Sequence, residues 1–260
     1  MNTTAIKQNY EEIQHKVAAA CERAGRAPED VKVIAVSKTV GLTEIEQAIA
    51  AGIQRFAENR TSLFKERSVT FPQQEWHFIG AIQTNKIKDF VGRATLVHSV
   101  ASEHVLRAID KRMAAQAAQA TQAGQNAQAA QATQAGQSTQ TAQAAQELLR
   151  RQPVLIEVNV SGEESKDGIA PSELESLLTI AATLDYIEVK GLMTMAPISH
   201  ETVIRATFKA LRELRDAYAS QFKKAENIDL TELSMGMTDD YEIAVEEGAT
   251  VLRIGRAFWV

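Results

Sequence analysis

The stretch Val31-Lys32-Val33-Ile34-Ala35-Val36-Ser37-Lys38-Thr39 decides how the rest of the chain is interpreted. Its first six residues are mostly β-branched and include neither glycine nor proline, which is typical of a buried strand. Lys38 comes just after this strand, where a loop residue faces either solvent or the mouth of a pocket. Taken alone, the stretch favours an amine that points to water. A lysine in a pocket is instead suited to reaction with carbonyl groups, because burial lowers the pKa of its amine.

Strand-like and helix-like segments alternate along the whole chain. Eight strands are predicted, at residues 31–36, 55–57, 76–79, 95–100, 153–160, 187–193, 231–234 and 250–255. An amphipathic helix is predicted ahead of the first strand. Short connections favour a parallel sheet, and eight units favour a single α/β domain with the (β/α)8 architecture of a TIM-type barrel. An open doubly wound sheet is the alternative, but it usually has a glycine-rich turn where this chain has Ser37-Lys38-Thr39.

The composition agrees with one barrel domain over residues 1–260. Hydrophobic residues make up 45% and charged residues 23% of the chain, as in ordinary globular proteins. The net charge of −5 argues against a nucleic-acid partner. The single cysteine, Cys21, excludes an intramolecular disulfide, and no cysteine or histidine cluster indicates a metal. No segment is long and apolar enough to span a bilayer, so a cytoplasmic protein without a membrane partner is predicted.

One segment interrupts the alternation. Residues 114–146 are almost wholly Ala, Gln, Thr and Gly, and the same ten-residue run starts at Gln116 and again at Gln128. Such a low-complexity tract lacks large apolar side chains, so we interpret it as an insertion on the outside of the barrel. Ala and Gln favour an extension of the preceding helix, whereas Gly124 and Gly136 weaken it. A disordered segment is equally compatible with this composition.

Polar and small residues collect at the carboxyl ends of the predicted strands, which form the active face of such barrels. The candidate site residues are Lys38, Asn59, His77, Met193, Ser234, Gly236, Arg253, Gly255 and Arg256. The loops after the seventh and eighth strands offer hydroxyl groups, backbone N–H groups and two arginines, and this is a common phosphate site in barrels. A reactive lysine that faces a phosphate site predicts pyridoxal 5'-phosphate (PLP), which binds through its aldehyde and its phosphate.

These residues lie in motifs that resemble the YggS/PROSC family, the pyridoxal phosphate homeostasis proteins. The resemblance covers nearly the whole chain outside the Ala/Gln tract. The motifs are Ala35-Val36-Ser37-Lys38-Thr39, Glu58-Asn59, Trp76-His77-Phe78-Ile79-Gly80, Asn85-Lys86, Val158-Asn159-Val160, Ser165-Lys166-Asp167-Gly168, Gly191-Leu192-Met193, Leu233-Ser234-Met235-Gly236-Met237-Thr238-Asp239 and Arg253-Ile254-Gly255. The family in turn resembles the barrel domain of alanine racemase without that enzyme's second, β-rich domain.

The resemblance implies a role for most of the candidates. Lys38 would carry PLP covalently as a Schiff base, and Arg253 would lie beside the pyridine nitrogen. The phosphate would be held by Ser234, Gly255 and Arg256. The pocket would be lined by Asn59, His77 and Met193. Lys166 is interpreted as a solvated loop lysine, with a role in transfer or gating as the alternative. The other histidines are predicted to be structural or exposed: His15, His98, His104 and His200.

The predicted function is intracellular PLP homeostasis, in which a monomer or weak dimer holds PLP and buffers it or delivers it to PLP-dependent apoenzymes. Arginine beside the pyridine nitrogen makes the ring a weaker electron sink, which disfavours turnover. Racemisation also needs a second acid or base, and no tyrosine lies near a predicted strand end. Two enzymes stay open as alternatives. One is a PLP-dependent racemase or decarboxylase of small amino acids, in which His77 or a partner subunit supplies the base. The other is a cofactor-free, aldolase-like enzyme that uses Lys38 on a sugar phosphate.

Overall fold

Eight parallel strands pair in chain order, and the eighth pairs with the first, so the sheet closes into a barrel. The computed structural model describes residues 2–131, 151–163 and 166–260. The strands are β1 (Lys32–Val36), β2 (Arg55–Glu58), β3 (Glu75–Phe78), β4 (Leu96–Val100), β5 (Gln152–Glu157), β6 (Ile187–Met193), β7 (Ile228–Ser234) and β8 (Val251–Ile254). The predicted (β/α)8 barrel is confirmed, and the open doubly wound sheet is excluded.

Helices surround the barrel in the described ranges. They are α1 (Thr3–Arg23), α2 (Leu42–Ala50), α3 (Thr61–Thr70), α4 (Glu103–Gln131), α5 (Leu174–Ala181), α6 (Glu201–Gln221), α7 (Tyr241–Glu246) and α8 (Arg256–Trp259). Three short 3-10 helices lie at Pro28–Asp30, Thr84–Asp89 and Pro171–Glu173. No helix in the part of the chain that the structure describes combines the length and the apolar character needed to cross a bilayer.

The first helix, α1, takes the outer position beside the last strand and the first. Its N-terminus is capped by Asn2, whose side-chain oxygen accepts a hydrogen bond from the Ala5 N–H at 2.9 Å. Apolar residues at helical spacing, among them Ile6 and Ile13, are buried against the barrel. The ring of Tyr10 stacks on a phenylalanine of α8 with centroids 5.7 Å apart. The predicted N-terminal helix is therefore present and ties the two ends of the chain together.

Side chains along each strand alternate between the helix layer and the barrel axis. On β1, Val33 and Ala35 belong to the main core with the helices, whereas Ile34 and Val36 form a separate apolar cluster inside the barrel. A second interior cluster consists of Leu96, Leu155 and Met193. Five strands also carry a buried polar residue: His77, His98, Glu157, Ser234 and Arg253. His98 and Glu157 stand two positions from Leu96 and Leu155 and so share their inward face. The barrel interior is therefore partly apolar and partly polar.

Strand β5 ends earlier than the predicted boundary at residue 160. After Glu157, the side chain of Asn159 closes the following loop. Its carbonyl oxygen accepts from the Gly162 N–H at 3.0 Å, and its amide donates to the Glu163 carbonyl at 2.8 Å. An asparagine that satisfies loop backbone groups in this way competes with continuation of the strand.

The first part of the Ala/Gln tract continues helix α4, as one of the two interpretations predicted. Ala117 is buried, and the Gln116 amide donates to the Val91 carbonyl at 3.4 Å, so the tract begins against the barrel rather than wholly outside it. Residues 132–146 of the tract, and Ser165 of the Ser165-Lys166-Asp167-Gly168 motif, lie outside the described residues.

Candidate cofactor site at the carboxyl ends of the strands

The loop that carries Lys38 is anchored on both sides of the lysine. The buried side chain of Arg67 donates to the Ser37 carbonyl at 2.8 Å and to the Val40 carbonyl at 2.5 Å. Arg60 donates to the carbonyl of Lys38 itself at 3.0 Å. The Lys38 side chain is exposed. The backbone at Lys38 is therefore fixed, while its amine is accessible.

A buried ion pair holds this anchor in place. Glu58, the last residue of β2, is completely buried and pairs with Arg67. Its carboxylate also accepts the hydroxyl proton of Ser37. Burial raises the pKa of Glu58, and the Ser37 hydrogen bond and the Arg67 charge oppose that rise. The pair links the end of β2 to the end of β1.

A close backbone contact brings the ends of β2 and β3 together. A Cβ atom at Gly80 would lie only 2.0 Å from the carbonyl oxygen of Asn59, so only glycine fits there. The Ser99 hydroxyl donates to the Gly80 carbonyl at 2.5 Å. Asn59 itself is exposed at the strand end.

A continuous polar chain crosses the barrel interior from β8 to β3. Arg253 is 4% exposed and donates to the Ser234 hydroxyl at 2.6 Å and to the Thr194 carbonyl at 3.0 Å. The Ser234 oxygen lies 2.8 Å from Nδ1 of His98. Nε2 of His98 lies 3.0 Å from Nδ1 of His77. Every member of this chain is buried.

Burial sets the charge states in the interior. It lowers the pKa of His77 to about 3 and holds the pKa of His98 well below its usual value, so both imidazoles are neutral at pH 7. Burial also lowers the pKa of Arg253 to about 10, which leaves the guanidinium charged. Burial and the Asp167 carboxylate raise the pKa of Glu157 to about 7, and Arg253 opposes that rise. Arg253 therefore stays positively charged at pH 7, whereas His77 and His98 are neutral and Glu157 is close to its pKa.

The loop after β7 is shaped by Gly236. Its φ angle is +95°, and a Cβ atom there would lie 2.6 Å from Cβ of Ala244. The carboxylate of Asp240 accepts from the Met237 N–H at 2.6 Å. Thr238, in the same loop, is half-buried. The turn is therefore tight.

The segment after β8 lies against the end of β1. Gly255 and Arg256 begin helix α8, so their N–H groups precede the first acceptors inside that helix. The indole N–H of Trp259 donates to the Val36 carbonyl at 2.8 Å. The Arg256 side chain is exposed and pairs with Asp239. The start of α8 is thereby attached to the strand that leads to Lys38.

The structure brings some predicted residues together and places others differently. Ser234, Arg253 and His77 join one polar chain. The Ser234 hydroxyl is engaged inside the barrel rather than turned to the mouth, so its predicted contact with phosphate stays a prediction. Met193 is buried against apolar neighbours. Gly236 lies in the loop after β7, and Gly255 and Arg256 lie at the start of α8.

Three buried residues in or next to the site were not among the predicted ones. His98, expected to be structural or exposed, is buried at the centre of the polar chain. Glu157 is a buried carboxyl on an inward position, and Arg67 anchors the lysine loop. Strand alternation could have assigned His98 and Glu157 to the interior. Arg67 carried no signal, because it lies on a helix and its partners are distant in sequence.

Carboxylate, imidazole and thiol groups do not converge in threes anywhere within 2–131, 151–163 and 166–260 in a way that would hold a metal ion. The chemistry available at this end of the barrel is that of an amine, a buried guanidinium and backbone amides.

The class of barrel is that of alanine racemase. The family model described as the alanine racemase N-terminal domain matches residues 116–260. The pyridoxal phosphate homeostasis protein of Aquifex aeolicus (strain VF5) is 36% identical over 246 residues, which are 94% of this chain and 92% of that protein. The chain belongs to the family of pyridoxal phosphate homeostasis proteins.

Two solved structures are similar over almost the full length. An unknown protein from Bifidobacterium adolescentis is 31% identical with a TM-score of 0.79, and the alignment covers 99% of this chain and 95% of that one. PipY of Synechococcus elongatus PCC7942, solved with PLP bound, is 26% identical with a TM-score of 0.69, covering 94% of this chain and 100% of PipY.

Proposed function

We propose that the protein holds PLP covalently on Lys38 and acts in PLP homeostasis by buffering the cofactor and delivering it to PLP-dependent apoenzymes. Family membership and the PLP-bound structure of PipY support the choice of ligand. The observation that carries the proposal is the environment of Arg253. Its hydrogen bonds within the described residues go to a hydroxyl and a carbonyl, and none goes to a carboxylate. A buried guanidinium whose hydrogen bonds in the described ranges go to neutral oxygens fits a ligand with a strong acceptor, such as a pyridine nitrogen.

The mouth of the barrel fits the two other ends of PLP. The accessible Lys38 amine would take the aldehyde. The amides of Gly255 and Arg256 would bind the phosphate, since backbone N–H groups at a helix start are suited to phosphate. Ser234 would act by holding Arg253, to which it is hydrogen-bonded. Asn59 and Met193 are proposed pocket walls, and Gly236 would keep the phosphate loop tight.

The residues around the site are suited to holding the cofactor rather than to turnover. Bound PLP supplies a reactive aldehyde and a ring that can take up electrons. Arg253 only donates hydrogen bonds, so beside the ring nitrogen it would disfavour protonation there and weaken that capacity. Each of the four tyrosines, all of them in the described part of the chain, lies in a helix or at the amino end of a strand: Tyr10, Tyr186, Tyr218 and Tyr241. A non-catalytic carrier is therefore the proposed role.

Absorbance and mass mapping test the covalent site. The purified protein, incubated with PLP, is expected to show a visible absorbance band that borohydride converts to a stable adduct. Peptide mapping should place the adduct on Lys38. The Lys38→Ala variant should lose the band, and the matched Lys166→Ala variant should keep it. An adduct that maps to Lys166, or a band that survives in Lys38→Ala, would overturn the assignment.

A second measurement tests the absence of turnover. The PLP-loaded protein is incubated with single L-amino acids, and the products are separated on a chiral column. We expect neither the D-enantiomer nor the decarboxylated amine above the level given by free PLP. Sustained turnover that disappears in Lys38→Ala would make the protein an enzyme of the racemase or decarboxylase type.

A further inference from the structure

Four buried side chains form an unbranched row inside the barrel, and their hydrogen-bonding capacity determines its direction. The row consists of Arg253, Ser234, His98 and His77, with contacts of 2.6, 2.8 and 3.0 Å. The two middle members are completely buried. Hydrogen positions in such a row follow from which groups can only donate and which groups have somewhere to donate.

The direction is set at Ser234. A guanidinium carries no acceptor, so Arg253 must be the donor and the serine oxygen the acceptor in the first contact. The hydroxyl proton of Ser234 then needs an acceptor of its own. Among the described residues, Nδ1 of His98 is the group within reach that can accept it. The opposite arrangement, with protons on Nδ1 of both histidines, would leave the buried hydroxyl without an acceptor and Nε2 of His77 without a donor. The first arrangement leaves a single group unsatisfied, the Nε2–H of His77, so it is favoured.

The direction of the Ser234 hydroxyl determines the tautomers of both histidines. Burial keeps His98 neutral, so a bare Nδ1 requires the proton to be on Nε2. That Nε2–H then donates to Nδ1 of His77. Neutral His77 must also carry its proton on Nε2, which has no hydrogen-bond partner in the part of the chain that the structure describes. Each imidazole is thus restricted to one of its two tautomers.

We infer that His98 and His77 are positioning residues for Arg253: donors point in one direction, from the guanidinium through the serine hydroxyl to the two imidazoles. The row holds the guanidinium in a fixed orientation through neutral groups. It would therefore set how Arg253 meets an acceptor on a bound ligand. This last step rests on the proposed binding of PLP, whereas the tautomers are a property of the free protein.

Nitrogen-15 NMR of the protein without cofactor tests the direction of the row. The chain has five histidines, and the three outside the row are exposed: His15, His104 and His200. These three serve as internal controls in the same spectrum. We expect His98 and His77 to be fully in the Nε2–H tautomer and not to titrate between pH 5 and pH 8. A proton on Nδ1 of His98, or a mixture of tautomers there, would overturn the inference.

Two substitutions at His98 then test its effect on Arg253. Leucine removes the acceptor for the serine hydroxyl, whereas asparagine restores one. We expect His98→Leu to shift the absorbance of bound PLP and to weaken its retention roughly tenfold, and His98→Asn to recover both towards wild type. His104→Leu, at an exposed position, should change neither.

The outcomes separate this inference from the proposed function. If the wild type binds PLP and His98→Leu leaves its spectrum and retention unchanged, the positioning role is wrong and the carrier function stands. If the wild type forms no adduct with PLP, the proposed function fails, and the NMR spectrum still decides the direction of the row. If His98→Leu does not fold, the wild-type tautomers and the His98→Asn spectrum decide the matter.

Discussion

Replacing Arg67 by methionine is expected to destabilise the barrel by about 3–5 kcal/mol, because it removes one partner of a buried ion pair. The side chains of Arg67 and Glu58 are 4% and 0% exposed. Methionine keeps much of the aliphatic volume, so the loss reports the charge and the hydrogen bonds rather than a cavity. The carbonyls of Ser37 and Val40, on either side of Lys38, lose their donors in the same step.

The magnitude is set by the charge that the substitution leaves behind. Glu58 without Arg67 is a carboxylate in a buried site, and it must either stay charged at high cost or take up a proton. Substituting both residues removes that penalty. The double variant Arg67→Met, Glu58→Met should therefore recover about 2 kcal/mol or more of the loss.

Urea unfolding followed by circular dichroism measures these differences, provided that the slope with denaturant stays constant. Arg60→Met is the matched control, since Arg60 is exposed and contributes a single bond to the Lys38 carbonyl. Its free energy of unfolding should change by no more than about 0.5 kcal/mol. A loss below about 1 kcal/mol in Arg67→Met, or no recovery in the double variant, would refute the role of the pair.

Three further changes have expected outcomes. Glu157→Gln should make the protein more stable than wild type at high pH: the native pKa of about 7 lies above the ordinary 4.5, so the wild type loses stability as pH rises between these values, by about 3 kcal/mol in total. Equal urea midpoints for the two proteins at pH 5 and pH 8 would contradict this. Gly80→Ala should cost about 3 kcal/mol, because its Cβ would meet a backbone oxygen at 2.0 Å, whereas Gly25→Ala, with nothing within 4 Å, should cost about 1 kcal/mol. Trp259→Phe should cost about 1 kcal/mol in urea unfolding, since the last carbonyl of β1 loses its donor, and an unchanged midpoint would mean that water replaces the indole there.

Much of the fold is predictable from the sequence because its signals are local. Strand alternation, helical spacing and turn residues depend on neighbours a few positions away, and eight such units specify a barrel. These local signals placed the end of a strand wrongly where a side chain forms hydrogen bonds to the loop backbone. Strand β5 was predicted to reach residue 160, and the loop bonds of Asn159 end it at Glu157.

In the candidate site, too, some residues could be recognised from the sequence and others could not. Lys38, Arg253 and Gly255 were recognisable because each follows or ends a predicted strand, and such ends meet at one face of a barrel. The partners of these residues were not recognisable. Ser234 and His98 are 136 positions apart, and Arg67 lies on helix α3, in a different unit from the loop that it anchors.

By itself, then, the sequence determined the type of barrel, and it predicted the end that binds and the lysine that is offered there. The tertiary structure alone decided which polar side chains meet inside the barrel. Ser234 contacts Arg253 and His98 instead of facing the mouth, and Glu157 is a buried acid. The reason is physical. Closure of the sheet and the stagger of its strands fix which inward positions share a level, and neither quantity is encoded within any one segment.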